Sequence, residues 1–295
     1  MLEQQLTPWQ FTTTAGIRLG GYRSIPSGKP LLHFIHGNGF CSMMYAPLWR
    51  LLLPYVDVFL SDVQGHGQSD HGGQFIGWDE SAIAAAEAFQ HFAAEYADVT
   101  KIGCGHSFGG VVTALWAASE SPFQQLLLLD PVIFTPWMHR SAKVLQLFGL
   151  YKKNPLVKQA HRRRQHWPSR QAAWDYFYQR GIFKGWQDDA LSAYLDHALE
   201  TKSDGLALRC HPSREAEIFG SVPRRLWRHL QQISLPTEVL VGQDTYPFVH
   251  RSLALWQQHR NVSVQQMPGD HCFMQQHPAQ TADFMLQRLR ATKVL

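Results

Sequence analysis

The stretch GCGHSFGG, residues 103–110, sets a serine between two glycines. Gly105-His106-Ser107-Phe108-Gly109 follows a strand-like KIGC and runs into a helix-like FGGVVTALWAAS. A sharp strand-to-helix turn holds a serine in a strained backbone conformation, and flanking glycines lack the Cβ atoms that would clash there. The hydroxyl then projects at a helix N-terminus, where N–H groups favour developing negative charge. Such a hydroxyl needs a general base, and the base needs an orienting acid. MPGDHCFMQQHP places His271 between the last strand-like run and the last helix-like run, where a loop base would sit. His277 is read as part of that helix start. TEVLVGQDTYPF ends another strand and offers Asp244 as the acid. The oxyanion donors expected from position are the backbone N–H groups of Phe108 and, in HGNG, of Asn38. His36 is read as a brace for that loop. Losing one such donor typically costs about 3 kcal/mol.

The elements that must hold these residues alternate. LLHFIHG, VDVFLSD, KIGCGHS and QQLLLLD read as buried strands, and WDESAIAAAEAFQHFAAEY and FGGVVTALWAAS as helices. WQFTTTAGIRLGGYRS reads as two strands around an Ala15-Gly16 turn. From Pro131 to Leu235 the alternation stops, and helix-like pieces rich in arginine and aromatics replace it. After Pro236 it resumes with TEVLVG, VSVQQMP and QTADFMLQRLRAT. Alternating strands and helices imply a mostly parallel sheet covered on both faces, here with a helical insertion.

The 295 residues suffice for one large domain with such an insertion, and 45% hydrophobic with 17% charged residues suits a globular protein with a sizeable core. The net charge of +4 is uneven: residues 131–234 hold 17 basic and 8 acidic side chains, so the insertion is the basic part. No apolar run approaches a membrane span, and MLEQQLTPWQ lacks the pattern of a signal peptide. The four scattered cysteines have no zinc spacing and suit free thiols in a cytoplasmic protein. No metal site and no cofactor is expected. His66 is read as structural, and nucleic-acid binding finds no support.

Five motifs together, HGNG at 36–39, DVQGHGQSD at 62–70, GHSFGG at 105–110, LVGQD at 240–244 and PGDH at 268–271, resemble the α/β-hydrolase superfamily in the expected order. The resemblance covers residues 10–133 and 235–292. It implies an eight-stranded, mostly parallel sheet, with a core of residues 1–133 and 235–295 and a helical cap of 134–234. It also implies a Ser107–His271–Asp244 triad, with Asp130 at the end of LLLLD as the fallback acid, because some relatives carry their acid after that strand. One departure stands out: relatives often place the acid three residues beyond the glycine that ends the strand, whereas Asp244 is two beyond Gly242. DVQGHGQSD helps to carry the resemblance but is read as structural, because it lacks the lysine of a phosphate-binding loop. The resemblance disfavours dehalogenase and epoxide hydrolase chemistry, because those relatives carry aspartate at the position of Ser107.

The expected reaction is hydrolysis of a small carboxylic ester or related acyl substrate through an acyl-enzyme. Carbon–carbon hydrolase, thioesterase, amidase and acyltransferase chemistry would use the same residues, and a ligand receptor of the same fold is the alternative of another class. In the cap, Trp167, Trp174, Tyr176, Phe177, Tyr178, Phe183 and Trp186 are read mainly as its own small core, with a few lining a pocket. Arg162-Arg163-Arg164 is read as a solvated helix face, with an anionic substrate or lipid surface as the sharper reading. Oligomeric state is not legible.

Overall fold

Eight strands of this chain form one sheet, because its central strands are apolar on both faces and must be covered twice. The structure, a computed structural model, describes residues 5–119 and 121–294. The sheet strands in chain order are β1 (Leu6–Thr12), β2 (Arg18–Ser24), β3 (Leu31–Ile35), β4 (Asp57–Asp62), β5 (Lys101–His106) and β6 (Gln125–Leu129). After three short strands of the insertion, β7 (His166–Trp167), β8 (Leu199–Lys202) and β9 (Gly205–Leu208), come β10 (Thr237–Gly242) and β11 (Val262–Met267). The spatial order is β1-β2-β4-β3-β5-β6-β10-β11. Only the β1–β2 and β2–β4 pairings are antiparallel. All eight strands anticipated from the alternation are present.

Period-two burial explains the layers. Leu32, Phe34, Leu127 and Leu129 enter one apolar cluster, while Leu31, Ile35, Leu126 and Leu128 enter the other. Every residue of β3, β4, β6 and β10 is buried. Burying each leucine of β6 contributes about 1.5–3 kcal/mol. The helices Trp78–Phe92 and Phe108–Ala117 pack together on the second of these clusters. Trp78–Phe92 carries Asp79 and Glu80 in its first turn, where the helix dipole favours carboxylates.

The insertion leaves the sheet after β6 and returns at β10, so it connects two neighbouring strands. It is helical over Pro136–Leu147, Pro155–His161, Arg170–Phe177, Asp188–His197, Pro212–Phe219 and Leu226–Gln232. It also holds a small antiparallel sheet of order β7-β9-β8, so an all-helical description is incomplete. Strands of two and four residues are too short to carry a readable period. Its aromatic core centres on Phe177, Phe183 and Tyr194, with ring centroids 4.8 Å apart for Phe177–Phe183 and Phe183–Tyr194. Trp167 and Trp186 are buried in the same cluster, while Tyr178 is exposed. The last helix, Leu226–Gln232, packs Leu226 and Leu230 against the main core.

Candidate active site

The strand β5 and the helix Phe108–Ala117 meet at Ser107, whose φ of 57° and ψ of −118° lie where side chains are rarely tolerated. Three glycines make the turn possible. A Cβ on Gly105 would lie 2.4 Å from the Gly109 carbonyl oxygen, and one on Gly109 would lie 2.1 Å from that of Ile35. A Cβ on Gly110 would press on Pro131 at 3.0 Å. The Ser107 hydroxyl lies 2.9 Å from His271 Nε2. His271 comes from the loop after β11, as its sequence position suggested.

On the other side of the ring, His271 Nδ1 lies 2.8 Å from Asp130 Oδ1. Asp130, not Asp244, is therefore the carboxylate that the fold brings to the histidine. Asp130 follows β6 and adopts φ 43°, again a left-handed conformation. It is fully buried, and three donors hold it. The Gly242 N–H donates to Oδ2 at 2.8 Å, the Thr245 hydroxyl donates to Oδ1 at 2.6 Å, and the His271 ring supplies the third contact. The departure noted in the sequence explains the correction. The position three beyond Gly242 is Thr245, and its hydroxyl supports Asp130 instead of supplying a carboxylate. Asp244, one residue earlier, is exposed on the wall of the cleft above.

With Asp130 accepting from Nδ1–H, the Nε2 lone pair of His271 faces the Ser107 hydroxyl. The Phe108 N–H opens its helix and has no partner within it. In the HGNG loop, Gly37 N–H donates to Tyr45 Oη at 3.4 Å and Gly39 N–H donates to His66 Nε2 at 3.0 Å. Among the described residues the Asn38 N–H has no such acceptor. A Cβ on Gly37 would lie 3.2 Å from Ser107 Cβ, so glycine lets this loop approach the serine.

His36 braces the loop: its Nδ1 donates to the Gly37 carbonyl at 2.7 Å, and its Nε2 accepts from Val63 N–H at 3.1 Å. In DVQGHGQSD, Asp62 accepts from the N–H groups of Ser42 and Gln68. Ser69 Oγ donates to the Asp62 carbonyl at 2.6 Å. A Cβ on Gly67 would collide with the Asp62 carboxylate at 2.1 Å.

Two residues that sequence reasoning passed over connect these loops. The Tyr45 hydroxyl donates to His106 Nδ1 at 2.7 Å, and His106 Nε2 donates to the His271 carbonyl at 2.9 Å. Burial pushes His106 well below the usual histidine range, and the neighbouring His271 acts in the same direction. His106 is thus a neutral strut between the serine turn and the histidine loop. Its place inside the G-x-S-x-G motif was visible, but its partners are far away in sequence.

The insertion closes over the site. A cleft of about 930 Å³ is lined by Asn38, His271 and Tyr246 below and by Phe177, Phe183 and Arg163 above. The arginine run divides: Arg162 and Arg164 are exposed, while Arg163 turns inward. Arg163 pairs with Glu215 at 2.6 Å and donates to the Tyr194 hydroxyl at 2.6 Å. Burial opposes its charge, but Tyr194 and Glu215 raise its pKa further above the usual arginine range. A Cβ on Gly39 would lie 3.1 Å from Arg163 Nη1, and Asn38 Nδ2 donates to the Glu215 carbonyl at 3.1 Å. All four cysteines are buried and free.

A model of the alpha/beta hydrolase family matches residues 34–284. The chain belongs to that family. Its fold is shared with E-2-(acetamidomethylene)succinate hydrolase at TM-score 0.75 and 20% identity, covering 96% of this chain and 98% of that one. The thioesterase domain from the curacin biosynthetic pathway matches at TM-score 0.72 and 15% identity, over 95% and 99% of the two chains. A thermophilic esterase from Thermogutta terrifontis matches at 0.66 and 17%, over 98% and 99%. These identities speak for the fold alone. No curated protein sequence matches the chain.

Proposed function

We propose that this hydrolase cleaves carboxylic esters through a Ser107–His271–Asp130 triad and an acyl-enzyme. The observation that carries the proposal is the relay of contacts at 2.9 and 2.8 Å ending on a serine in a strained turn. His271 Nε2 takes the Ser107 proton as Oγ attacks the ester carbonyl. Asp130 holds the ring in the Nδ1–H tautomer and stabilises the imidazolium that forms. The N–H groups of Phe108 and Asn38 receive the oxyanion. His271 then protonates the leaving alcohol and activates the water that releases the acid. The protein's own side chains and backbone N–H groups, together with water, carry every step of this reading, which invokes no cofactor.

Residues 134–234 act as the cap that selects the substrate, which is a small molecule. Phe40, Tyr176, Phe177, Ile182 and Phe183 offer apolar surface to an acyl or alcohol group. Lys158, Arg162 and Arg180 on the same cleft favour a substrate that also carries a negative group. That cationic wall supports a second reading, carbon–carbon bond hydrolysis of an acidic substrate by the same triad. The free thiols support a reducing, cytoplasmic setting.

The test is steady-state hydrolysis of p-nitrophenyl esters of graded chain length by wild type and Ser107→Ala. Repeated turnover that the variant loses supports the proposal. Full activity in Ser107→Ala would exclude Ser107 as nucleophile. Tight retention of an ester without turnover would favour a receptor of this fold.

A further inference from the structure

The helix Pro136–Leu147 turns an apolar face to water. It begins at Thr135, whose hydroxyl accepts the Met138 N–H, with proline in the first turn. It docks through Ala142 and through His139, whose Nε2 donates to the Pro223 carbonyl at 2.7 Å. Trp137, Val144 and Phe148 recur at spacings of seven and four, which puts them on one face. Trp137 is 75% exposed, Phe148 70% and Leu147 83%. Leu150 and Leu156 extend the exposed apolar surface, and Leu156 also lines the cleft, so the patch reaches its mouth. Single exposed apolar residues are ordinary, but a contiguous group marks a contact surface.

The charges around this face have one sign. Residues 131–174 contain nine Lys and Arg and no Asp or Glu. Arg140, Lys143, Lys152 and Lys153 are all exposed. The carboxylates that share a second cleft with Gln146 and Lys152 are already paired: Asp79 and Glu80 with Arg224, and Glu217 with Arg214. A second copy docking on the same face would set these cations against themselves. An anionic lipid surface satisfies both features. The apolar side chains enter the boundary between headgroups and acyl chains, and the cations meet the headgroups.

We propose that the face Trp137–Leu156 binds peripherally to membranes rich in anionic lipid and sets the cleft mouth at the lipid surface. Attachment of this kind needs no spanning segment, and among the described residues no helix is long and apolar enough to cross a membrane. The proposal is independent of which bond the site cleaves.

Co-sedimentation with phosphatidylcholine vesicles, with and without phosphatidylserine, tests it. The protein is expected to pellet with the phosphatidylserine vesicles, to remain in solution with pure phosphatidylcholine, and to dissociate as salt is raised. Leu147→Ser/Phe148→Ser should weaken binding by about tenfold or more. Arg140→Gln/Lys143→Gln/Lys153→Gln should weaken it by about fivefold per charge removed. Unchanged circular dichroism and melting of the variants would exclude misfolding as the cause. Failure to pellet with either vesicle, or pelleting that neither variant alters, would overturn the proposal. So would light scattering that shows a wild-type dimer and a monomeric Leu147→Ser/Phe148→Ser, because the face would then belong to a second copy.

Discussion

The sheet core and the inserted segment treat polar groups in opposite ways. In the core, Asp62, Asp130, His36 and His106 are buried, and each has backbone or side-chain partners that fix it. In the insertion most arginines and lysines stay in water, but Arg214 is fully buried against Glu217 and the His71 and Gly73 carbonyls, and Arg163, mostly buried, points down at the core. Two loops of the site meet the insertion directly. Glu215 takes the Asn38 amide, and Gln276 Nε2 donates to the Lys184 carbonyl at 2.9 Å. The core therefore fixes the groups of the proposed triad, and the insertion meets the loops beside them and forms the upper wall of the cleft.

The sharpest way to break this division is at the two carboxylates. Asp130→Asn should lower kcat by about 10⁴-fold, because an amide cannot hold the required tautomer. Asp244→Asn should change kcat/KM by only a few fold, because Asp244 stands on the exposed wall. Ester hydrolysis by both variants decides it. The reverse ranking would return the acid's role to Asp244 and leave the Asp130 contact structural.

A smaller effect tests the insertion's hold on the loop that carries Asn38. Arg163→Ala leaves Glu215 without its partner in a site where both side chains are mostly buried. Urea unfolding should show a loss of about 2–4 kcal/mol, and Arg163→Ala/Glu215→Ala should recover part of it. Equal losses in the single and double variants would mean the pair contributes packing and not charge compensation.

Within the core, Tyr45→Phe removes the O–H that satisfies His106 Nδ1. The buried nitrogen left without a donor should cost about 1–3 kcal/mol by the same measurement. An unchanged midpoint would show that the strut is held by its other end, at the His271 carbonyl.

The contrast between core and insertion also sets what could be read from sequence. Gly105, Ser107 and Gly109 were legible because a strained turn admits few residue types, and the strands because they are apolar on both faces. His271 was legible from its place after β11. The acid of the proposed triad was not, because the loops after the neighbouring strands β6 and β10 each offer a carboxylate, and only the contact of Asp130 with His271 separates them. The Arg163–Glu215 pair spans 52 residues and belongs to a segment whose packing follows no repeated pattern. Arg162, Arg163 and Arg164 are identical as letters, and only the fold turns the middle one inward.

The smallest effect concerns pH and the core side of this contrast. His33 lies inside the core among Phe59, Phe89 and Trp116, with ring centroids 5.4, 5.5 and 4.9 Å away. Among the described residues its one polar contact is Ser61 Oγ at 3.1 Å from Nε2. Burial lowers its pKa to about 3. The folded state therefore keeps His33 neutral where the unfolded chain, titrating near the ordinary value of 6.5, takes up a proton. The unfolded state binds more protons between these two values, so stability is full above 6.5 and falls as pH drops towards about 3. The slope for one such histidine is about 1 kcal/mol per pH unit. His33→Phe should flatten the pH dependence of the unfolding free energy from urea titrations by that amount between about pH 6 and 4. A His33→Phe protein with the wild-type slope would mean that His33 gains its proton without unfolding, and the core would then be more open to water than its packing implies.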